Sequence, residues 1–461
     1  MKKHLFFLVI ALLFLAPQSA FANAFFIQEM SGDGMAQGGA VIAAGAKPSN
    51  MFQNAANLSF LEDLHFEIVA TTYFPAGYFE DPQGNRTNVK ADPIVTPHFF
   101  ASWKVNDWLA VGIAEFIDFG LAMKWPKGWY GDHITRESGL TSVTINPNIS
   151  FGPFKGFAVA VGFDAKYGQV SVKRGFTTGR DVYGFDSVDN QINLLGDAWG
   201  FGGNLGLMYQ PAKWVRMGAS YRSAIVMDLE NGKADFDVAP PLAAMFPDQK
   251  FKASITLPHL VNFGVRFWPV EEFSIELDIW GTMWSSYDKL KFDFDQGLKQ
   301  DANPANDVKS QEEIKNYRDF IQVRLGAEWW FIEHFALRAG IMLDGDVTDE
   351  KYLDPMLPDG HRINSCIGFG TEWYGFHADI AYMLVYLLPR NTMNVEGNPL
   401  PGKYNFYTHD LTVSIGYKFD PFFRDKKEQP QQDTDSNEDE EQLPPPTEEP
   451  MPQGEELSFN Y

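Results

Sequence analysis

The chain has 461 residues, of which 15% are aromatic and 40 are glycine, and its formal net charge is −23. This negative charge excludes a nucleic-acid-binding protein, because such proteins need a concentrated basic face. After the N-terminus no apolar run approaches the roughly 20 residues of a membrane-spanning helix, so a helical membrane protein is excluded, whereas a membrane protein built of strands is not.

The first residues have the three parts of a secretory signal peptide. Met1-Lys2-Lys3 is basic, Leu5 to Leu15 is an apolar core, and Ala20-Phe21-Ala22 is a small-x-small cleavage site. We therefore predict a signal peptide over residues 1–22, which directs the chain across the inner membrane. The mature chain is then expected to begin at Asn23.

Residues 23–60 do not alternate between apolar and polar positions. They are rich in small residues, as in Gly38-Gly39-Ala40 and Ala43-Ala44-Gly45-Ala46. Such a segment can pack tightly inside another structure but cannot form a core of its own. The residues leave two interpretations open, a plug or a flexible leader.

From Leu64 onward the chain alternates with period two, as the stretch from Trp199 to Arg222 illustrates. There two strands are expected around a turn at Pro211-Ala212-Lys213. The second has an apolar face of Val215, Met217, Ala219 and Tyr221 opposite a polar face of Arg216, Gly218, Ser220 and Arg222. An arginine turned to the middle of a bilayer costs roughly 2–4 kcal/mol, so the polar face is expected to line a watery lumen.

The alternation is clearest late in the chain. We predict that two apolar series face lipid: Ile321, Val323, Leu325, Ala327 and Trp329, and then Leu411, Val413, Ile415, Tyr417 and Phe419. The residues between them, Arg324 among them, are expected to face inward. A strand that ends on aromatic residues is typical of the interfacial girdle of an outer-membrane barrel.

The connections between the alternating segments fall into two length classes. Short ones occur at 106–107, 152–156, 211–213, 269–272, 332–334 and 374–375, and long ones at about 75–92, 120–139, 171–195, 229–250, 291–316, 345–361 and 388–404. They alternate strictly, and thirteen connections imply fourteen strands. Short turns on one side and long loops on the other are typical of bacterial outer-membrane barrels. We therefore predict an all-β fold, a 14-stranded antiparallel transmembrane β-barrel, over residues 61–419.

The last part of the chain, residues 420–461, has a different composition. Between Glu428 and Glu456 there are eleven acidic side chains and no basic ones, among many prolines and glutamines. Such a segment is too polar to bury a core, so we predict a disordered acidic tail in the periplasm. Contact of this tail with peptidoglycan or a periplasmic partner is the functional alternative.

Seven short motifs follow one another between residues 196 and 362. They are Gly196-Asp197-Ala198-Trp199-Gly200-Phe201, Asn204-x-Gly206-x-x-Tyr209, Arg216-x-Gly218-x-x-Tyr221-Arg222-Ser223, Thr256-Leu257-Pro258, Trp284-Ser285-Ser286-Tyr287-Asp288, Leu337-Arg338-Ala339-Gly340 and Tyr352-x-x-Pro355-x-x-Pro358-Asp359-x-x-Arg362. In this order they resemble the FadL family of outer-membrane transporters, which carry long-chain fatty acids and, in some members, aromatic hydrocarbons.

The resemblance implies that residues 23–60 form a hatch that plugs the barrel lumen. An Asn-Pro-Ala motif ends the hatch in the family, whereas this chain has Asn54, Ala55 and Ala56 at the matching place. The family also has a kink in its third strand that opens a side window to the membrane. Gly120 occupies the corresponding place, and glycine suits such a break because it weakens a strand interior. The alternative is an ordinary glycine between strand and loop.

Two of the long loops are apolar where polar residues are expected. The first contains Leu121, Met123, Trp125 and Trp129, and the second, from Val238 to Pro247, contains Leu242, Met245 and Phe246. Exposed apolar patches often mark binding surfaces, and the resemblance implies that these loops form an outer groove that captures the ligand. The alternative is that the loops pack against each other.

The resemblance also implies that the mature N-terminus lies beside the ligand in a lumen pocket, with Phe25, Phe26 and Ile27 as its apolar residues. The alternative is a remnant of the signal peptide. A bound carboxylate would need a cation in the lumen, because a charge that leaves water needs a partner. The candidates near the fifth strand are Lys166, Lys173 and Arg174.

No motif in the sequence points to a cofactor, a metal or an enzyme active site. We therefore predict a non-enzymatic, monomeric barrel in the outer membrane of a Gram-negative bacterium, in contact with outer-membrane lipid. Its predicted role is passive transport of hydrophobic molecules, above all long-chain fatty acids, from a loop groove through a lumen pocket to a lateral opening. A channel for monoaromatic hydrocarbons is the closest alternative. A lipase-like enzyme and a structural barrel are the alternatives from other classes.

Overall fold

The computed structural model describes residues 24–45, 47–90, 92–175, 190–298 and 307–419. The signal peptide predicted for residues 1–22 and the tail predicted for residues 420–461 lie outside these ranges, as does Asn23. None of the helices within the ranges is both long and apolar enough to cross a membrane.

Fourteen antiparallel strands make up the sheet in the described part of the chain. They are β1 (Leu64–Glu80), β2 (Ile94–Asn106), β3 (Leu109–Phe116 and Gly120–Lys124), β4 (Glu137–Phe154), β5 (Phe157–Gly175), β6 (Gln191–Ala212), β7 (Val215–Arg222 and Ile225–Asp237), β8 (Gln249–Leu257 and His259–Val270), β9 (Phe273–Met283 and Lys289–Leu298), β10 (Val308–Ile314 and Phe320–Ile332), β11 (Phe335–Asp344), β12 (Arg362–Trp373), β13 (Phe376–Leu387) and β14 (Lys403–Phe419). The short strands Arg86–Asn88 and Arg390–Asn391 lie in two of the long connections.

The sheet closes on itself. Each strand pairs with the next along the chain, and β1 pairs with β14 over its whole length, from Leu64 opposite Phe419 to Glu80 opposite Lys403. Closure leaves no unpaired edge strand, which a sheet in lipid cannot tolerate. The predicted 14-stranded antiparallel barrel is confirmed.

Short turns join the strands at one end of the barrel, and long connections join them at the other. In the turn between β4 and β5, Lys155 and Gly156 have φ angles of 49° and 85°. Positive φ at both central residues is typical of type I′ turns, whose twist matches that of the paired strands. The turn between β12 and β13, at Tyr374 and Gly375, repeats this geometry.

The two faces of the strands have the predicted orientation. On β10, Ile321 has 53% of its surface exposed on the outer face, whereas the neighbouring Gln322 and Arg324 are almost fully buried inside the barrel. On β14, Ile415 is exposed and Thr412 and Ser414 are buried. An apolar side chain on the outer face meets lipid, so exposure here is compatible with stability.

Residues 24–45 and 47–61, called the N-terminal segment below, pack against the inner face of the barrel. The segment contains a short helix, α1 (Gly32–Ala36), and the 3₁₀ helices Pro48–Met51 and Ala55–Phe60. Its backbone binds inward-facing side chains of two separate strands, β14 and β9. The Gly32 amide donates to Ser414 Oγ at 2.6 Å, and the Ala43 amide donates to Glu276 Oε1 at 2.6 Å.

Buried ion pairs also link the segment to the wall. Lys47 pairs with Asp379 on β13, which also accepts a hydrogen bond from Arg338 Nη1 at 2.6 Å. Arg338 in turn bonds Glu328, and the guanidinium of Arg266 lies 3.3 Å from the same carboxylate. Because these charges are buried, each depends on its partners to offset the cost of leaving water.

Candidate functional site

The third strand is interrupted inside the wall of the barrel. Its first part pairs with β4 as far as Phe116 opposite Thr144, and pairing resumes at Gly120 opposite Thr141. Three residues, 117–119, therefore face only two on β4. An extra residue of this kind bends a strand and interrupts its hydrogen bonding.

The interruption leaves a gap between β2 and β3. The described ladder between these strands ends at Phe99 opposite Glu115, although the remainder of β2 still pairs with β1 on its other side. At the far end of the gap the Lys90 amide donates to the Lys124 carbonyl oxygen at 2.8 Å. The gap, called the lateral gap below, is thus bounded at both ends by backbone contacts. It begins just beyond Glu115, a few residues before Gly120, the residue that the sequence predicts as the kink.

The N-terminal segment bonds directly to the interrupted part of β3. The Ile27 amide donates to the Asp118 carbonyl oxygen at 2.8 Å, and the Gly120 amide donates to the Phe25 carbonyl oxygen at 3.0 Å. Phe26 and Phe119 form an isolated β-bridge between these bonds. Two of the backbone groups that the interruption frees, the Asp118 carbonyl and the Gly120 amide, are therefore satisfied by the N-terminal segment.

Aromatic rings surround this contact. The ring centroid of Phe25 lies 4.7 Å from that of Trp284, and the centroid of Phe26 lies 5.1 Å from that of Phe119. Edge-to-face and tilted contacts at such distances add to the stabilisation that ring burial provides. Phe25, Phe26 and Ile27, predicted as lumen-pocket residues, thus occupy one apolar site.

A cavity of about 370 Å³ lies between the N-terminal segment and the lateral gap. Its walls are formed by the N-terminal residues 24–29, by both edges of the gap, and by residues of β1, β4 and β11–β14. The gap edges contribute Ile94, Val95, Thr96, Ile117, Gly120, Leu121, Ala122 and Met123. The volume and the mainly apolar walls are typical of sites that bind small hydrophobic molecules. Leu121 and Met123, predicted for the capture groove, line this cavity instead of an open loop surface.

The polar groups of the cavity wall are Glu29, Tyr73, Asp344, Arg362 and Asp410, with neighbouring amides and hydroxyls. Desolvation by the surrounding protein raises the pKa of Glu29, whose Oε2 accepts a hydrogen bond from Tyr73 at 3.2 Å. Arg362 donates to the Ala24 carbonyl oxygen at 3.2 Å and to Asp359 Oδ1 at 3.1 Å. Burial raises the pKa of Asp359. The wall therefore carries more acidic than basic groups.

The three basic residues predicted as carboxylate partners lie outside the cavity wall. Lys166 pairs with Asp118 and bonds Thr144 Oγ1 at 2.5 Å, and Arg174 bonds Glu313 Oε1 at 3.0 Å. Lys173 Nζ lies 3.9 Å from Glu137. Each of them has an acidic partner within the chain. Their role toward a ligand stays a prediction.

Asn54 holds the turn at the hatch motif. Its Oδ1 accepts from the Ala56 amide at 3.1 Å, and its Nδ2 donates to the carbonyl oxygens of Ile42 and Leu207, at 3.2 and 2.9 Å. Asn54 therefore caps a 3₁₀ helix and fastens it to β6 at the same time. Ala55 is the first residue of that helix.

The apolar residues of the two loops lie in different surroundings. Trp125 and Trp129 are buried, with stacked rings 4.2 Å apart, and the Trp125 Nε1 donates to the Pro355 carbonyl oxygen at 3.0 Å. They belong to a cluster with Phe79, Leu353, Leu387, Leu400, Tyr404 and Phe406. In the second loop Leu242 is buried and Met245 and Phe246 are half-buried, with Phe246 packed against Phe236. The tryptophans thus pack against strand ends and other loops, and no residue of the second loop belongs to this cluster in the described part of the chain.

Known proteins share this sequence pattern and this fold. The profile of a family described as outer membrane protein transport protein (OMPP1/FadL/TodX) matches residues 13–419. The long-chain fatty acid transport protein of Salmonella typhi is 23% identical over 389 residues, which cover 78% of this chain and 86% of that protein. Outer membrane protein P1 of Haemophilus influenzae is 25% identical over 289 residues, which cover 58% of this chain and 60% of that protein.

Two crystal structures show the same barrel. A FadL homologue of Pseudomonas aeruginosa superimposes with a TM-score of 0.75 at 17% identity, covering 86% of this chain and 100% of that one. The toluene transporter TodX of P. putida superimposes with a TM-score of 0.69 at 15% identity, covering 87% and 100%. At these identities the likeness shows the fold.

Proposed function

The chain belongs to the outer-membrane transport protein family (OMPP1/FadL/TodX), and we propose that it carries hydrophobic molecules, above all long-chain fatty acids, passively across the outer membrane. The observation that supports this most directly is the cavity of about 370 Å³, which extends from the N-terminal segment to the lateral gap. A ligand in this cavity is next to both the lumen and the lipid side of the wall.

We propose that the lateral gap is the exit to the membrane. Both of its edges line the cavity, and Val95 at one edge is exposed on the outer face of the barrel. A hydrophobic molecule that leaves through the wall never has to enter water. Burial of its chain stabilises the bound state by about 0.8 kcal/mol per methylene group, which is enough to drive entry without an energy source.

We propose that the N-terminal segment is the hatch of the barrel and that each monomer works alone. The segment fills the lumen through backbone bonds to the wall, such as that of Gly32 to Ser414, and through the ion pair of Lys47 with Asp379. A filled lumen favours the side route over a straight aqueous channel.

We propose that Met245 and Phe246 contribute to capture at the outer surface, because they are half-buried side chains of an apolar loop. We also propose that the protein has no enzymatic role, since the relative from Salmonella typhi and the structural neighbour TodX are named as transporters. Hydrolysis of an ester by the detergent-extracted protein would overturn that part of the proposal.

A monoaromatic hydrocarbon is the second candidate ligand. Lys166 and Arg174 already form ion pairs with acidic residues of the chain. A ligand without a carboxylate does not need either of them as a partner. Uptake of labelled oleate and labelled toluene separates the candidates, in cells that lack their own fatty-acid channel and produce this protein. Oleate uptake supports the first candidate, and toluene uptake alone supports the second. Uptake of neither, with the barrel present in the outer membrane, would refute hydrophobic transport.

A further inference from the structure

The polar part of the cavity wall is acidic. Three carboxylates line it, from Glu29 in the N-terminal segment, Asp344 at the end of β11 and Asp410 on β14. Among the described residues none of the three has a Lys or Arg nitrogen within ion-pair distance. An approaching anion therefore meets a wall in which three acidic groups face one basic residue, Arg362.

Asp410 has an acceptor atom that the chain does not satisfy. Its side chain faces the lumen, and the residue is only 2% exposed. Within the described part of the chain, its Oδ1 has no hydrogen-bond partner. The other two carboxylates differ, since Asp344 accepts from Asn364 Nδ2 at 3.0 Å and Glu29 accepts from Tyr73. A buried acceptor without a donor is unfavourable, so this atom is suited to a donor that a ligand brings.

The cations near the cavity are already engaged. Arg362 is the one basic residue in the described wall, and it bonds Asp359 and the Ala24 carbonyl oxygen. Arg324 lies beyond the wall, where Nε donates to Gln322 Oε1 at 2.6 Å and the guanidinium lies 3.6 Å from the centroid of Trp280. Both cations thus already bond groups of the chain, Arg362 through Nη2, whereas Asp410 Oδ1 does not.

We propose that the cavity binds the polar end of its ligand as an uncharged hydrogen-bond donor, which donates to Asp410 Oδ1. The chemical class is a hydroxyl on an apolar body, as in a long-chain alcohol or a phenol. A fatty acid fits the same site as the undissociated acid. The apolar remainder lies along Leu121, Met123 and Leu387 toward the lateral gap. This inference rests on the proposed function, because it concerns the same cavity.

Three ligands with one tail test the inference. Oleyl alcohol, oleate and methyl oleate are titrated at neutral pH into the full-length protein in detergent, and binding is followed by tryptophan fluorescence. Trp284, which contacts Phe25 beside the cavity, is a reporter near the site. Oleyl alcohol is expected to bind about tenfold more tightly than either of the others, because only its headgroup is both uncharged and a donor.

The variant Asp410→Asn tests the named acceptor. It replaces the carboxyl group by an amide of nearly the same shape, whose nitrogen can donate to a carboxylate, so the preference for oleyl alcohol over oleate is expected to fall about tenfold. The matched control is Asp228→Asn, the same change at an exposed carboxylate on β7, and its preference should equal that of the wild type. Glu29→Gln is a second variant in the N-terminal segment, and it should lower the preference in the same direction.

The outcomes separate this inference from the proposed function. If the wild-type protein binds either oleate or methyl oleate as tightly as it binds oleyl alcohol, the inference is wrong. Hydrophobic transport then still stands. An unchanged preference in both Asp410→Asn and Glu29→Gln also overturns it. If none of the three ligands binds, the proposed function itself fails. The wild-type comparison does not depend on the folding of any variant.

Discussion

The Ile27 amide donates a hydrogen bond to the Asp118 carbonyl oxygen at 2.8 Å, which joins the N-terminal segment to the interrupted third strand. The same contact brings Phe25 and Phe26 to the inner side of the lateral gap. The segment and the gap are therefore parts of one structure. A change in either is expected to change the shape of the cavity between them.

The ion pairs around Asp379 are expected to hold the N-terminal segment in the lumen. In Asp379→Asn the buried charges of Lys47 and Arg338 lose their shared partner. We expect the free energy of unfolding to fall by about 3 kcal/mol, as for other broken buried pairs. Guanidinium-induced unfolding of the barrel in detergent measures this loss, and single-channel conductance in a planar bilayer should rise as the segment loosens.

Glu230→Gln is the matched control for that experiment, since Glu230 pairs with Lys252 at an exposed position. Exposed pairs contribute little to stability, so this variant should unfold like the wild type. Equal stability of both variants would show that the pairs around Asp379 do not hold the segment.

The family proline at the hatch motif can be restored. In Ala55→Pro the new residue stands first in a 3₁₀ helix, where its missing N–H is tolerated, and the preceding Asn54 has the extended φ and ψ of −158° and 105° that suit a residue before proline. We expect a gain of about 0.4–1 kcal/mol in the free energy of unfolding. Ala56→Pro is the control that should destabilise, because the Ala56 amide donates to Asn54 Oδ1. If Ala55→Pro lost as much stability as Ala56→Pro, the expectation that the first position of this helix accepts a proline would be wrong.

The two apolar loops are expected to respond differently to truncation. Trp125→Ala removes a buried ring stacked on Trp129, and we expect a loss of about 3 kcal/mol in the free energy of unfolding. Phe246→Ala changes a half-buried side chain and should instead weaken oleate binding while unfolding changes little. Unfolding and fluorescence titration of both variants measure the difference. Weakened oleate binding in Trp125→Ala at unchanged stability would instead support capture by the tryptophans.

Much of the barrel follows from the sequence because lipid and water impose a strict alternation on each strand. Arg324 and Gln322 face inward in the structure, as predicted. The reason is that a charged or polar side chain is costly in lipid. The number of strands follows likewise from the regular exchange of short turns and long loops. The interruption near Gly120 is predicted only through the family resemblance, since glycine alone is compatible with several structures.

The chemistry of the cavity could not be predicted in this way. Period-two alternation assigns a residue to a face but does not say which distant residue lies opposite. Glu29, Asp344 and Asp410 are far apart in the chain, yet they meet at one cavity because the barrel closes around the N-terminal segment. For the same reason the sequence leaves Lys166 without a partner, whereas in the structure Asp118, in the interruption of β3, provides one.

Passage of a hydrophobic ligand from the cavity through the lateral gap is the central claim, and the uptake of labelled oleate by Gly120→Val tests it most directly. A Cβ on Gly120 would lie 2.6 Å from the Ile27 Cδ1, so a valine must displace the N-terminal segment or narrow the gap. We predict a severalfold loss of uptake in a barrel that still assembles, as judged by its heat-modifiable mobility on gels. Gly281→Val on β9, away from the cavity, should keep the wild-type rate. Wild-type oleate uptake by Gly120→Val would contradict the lateral route.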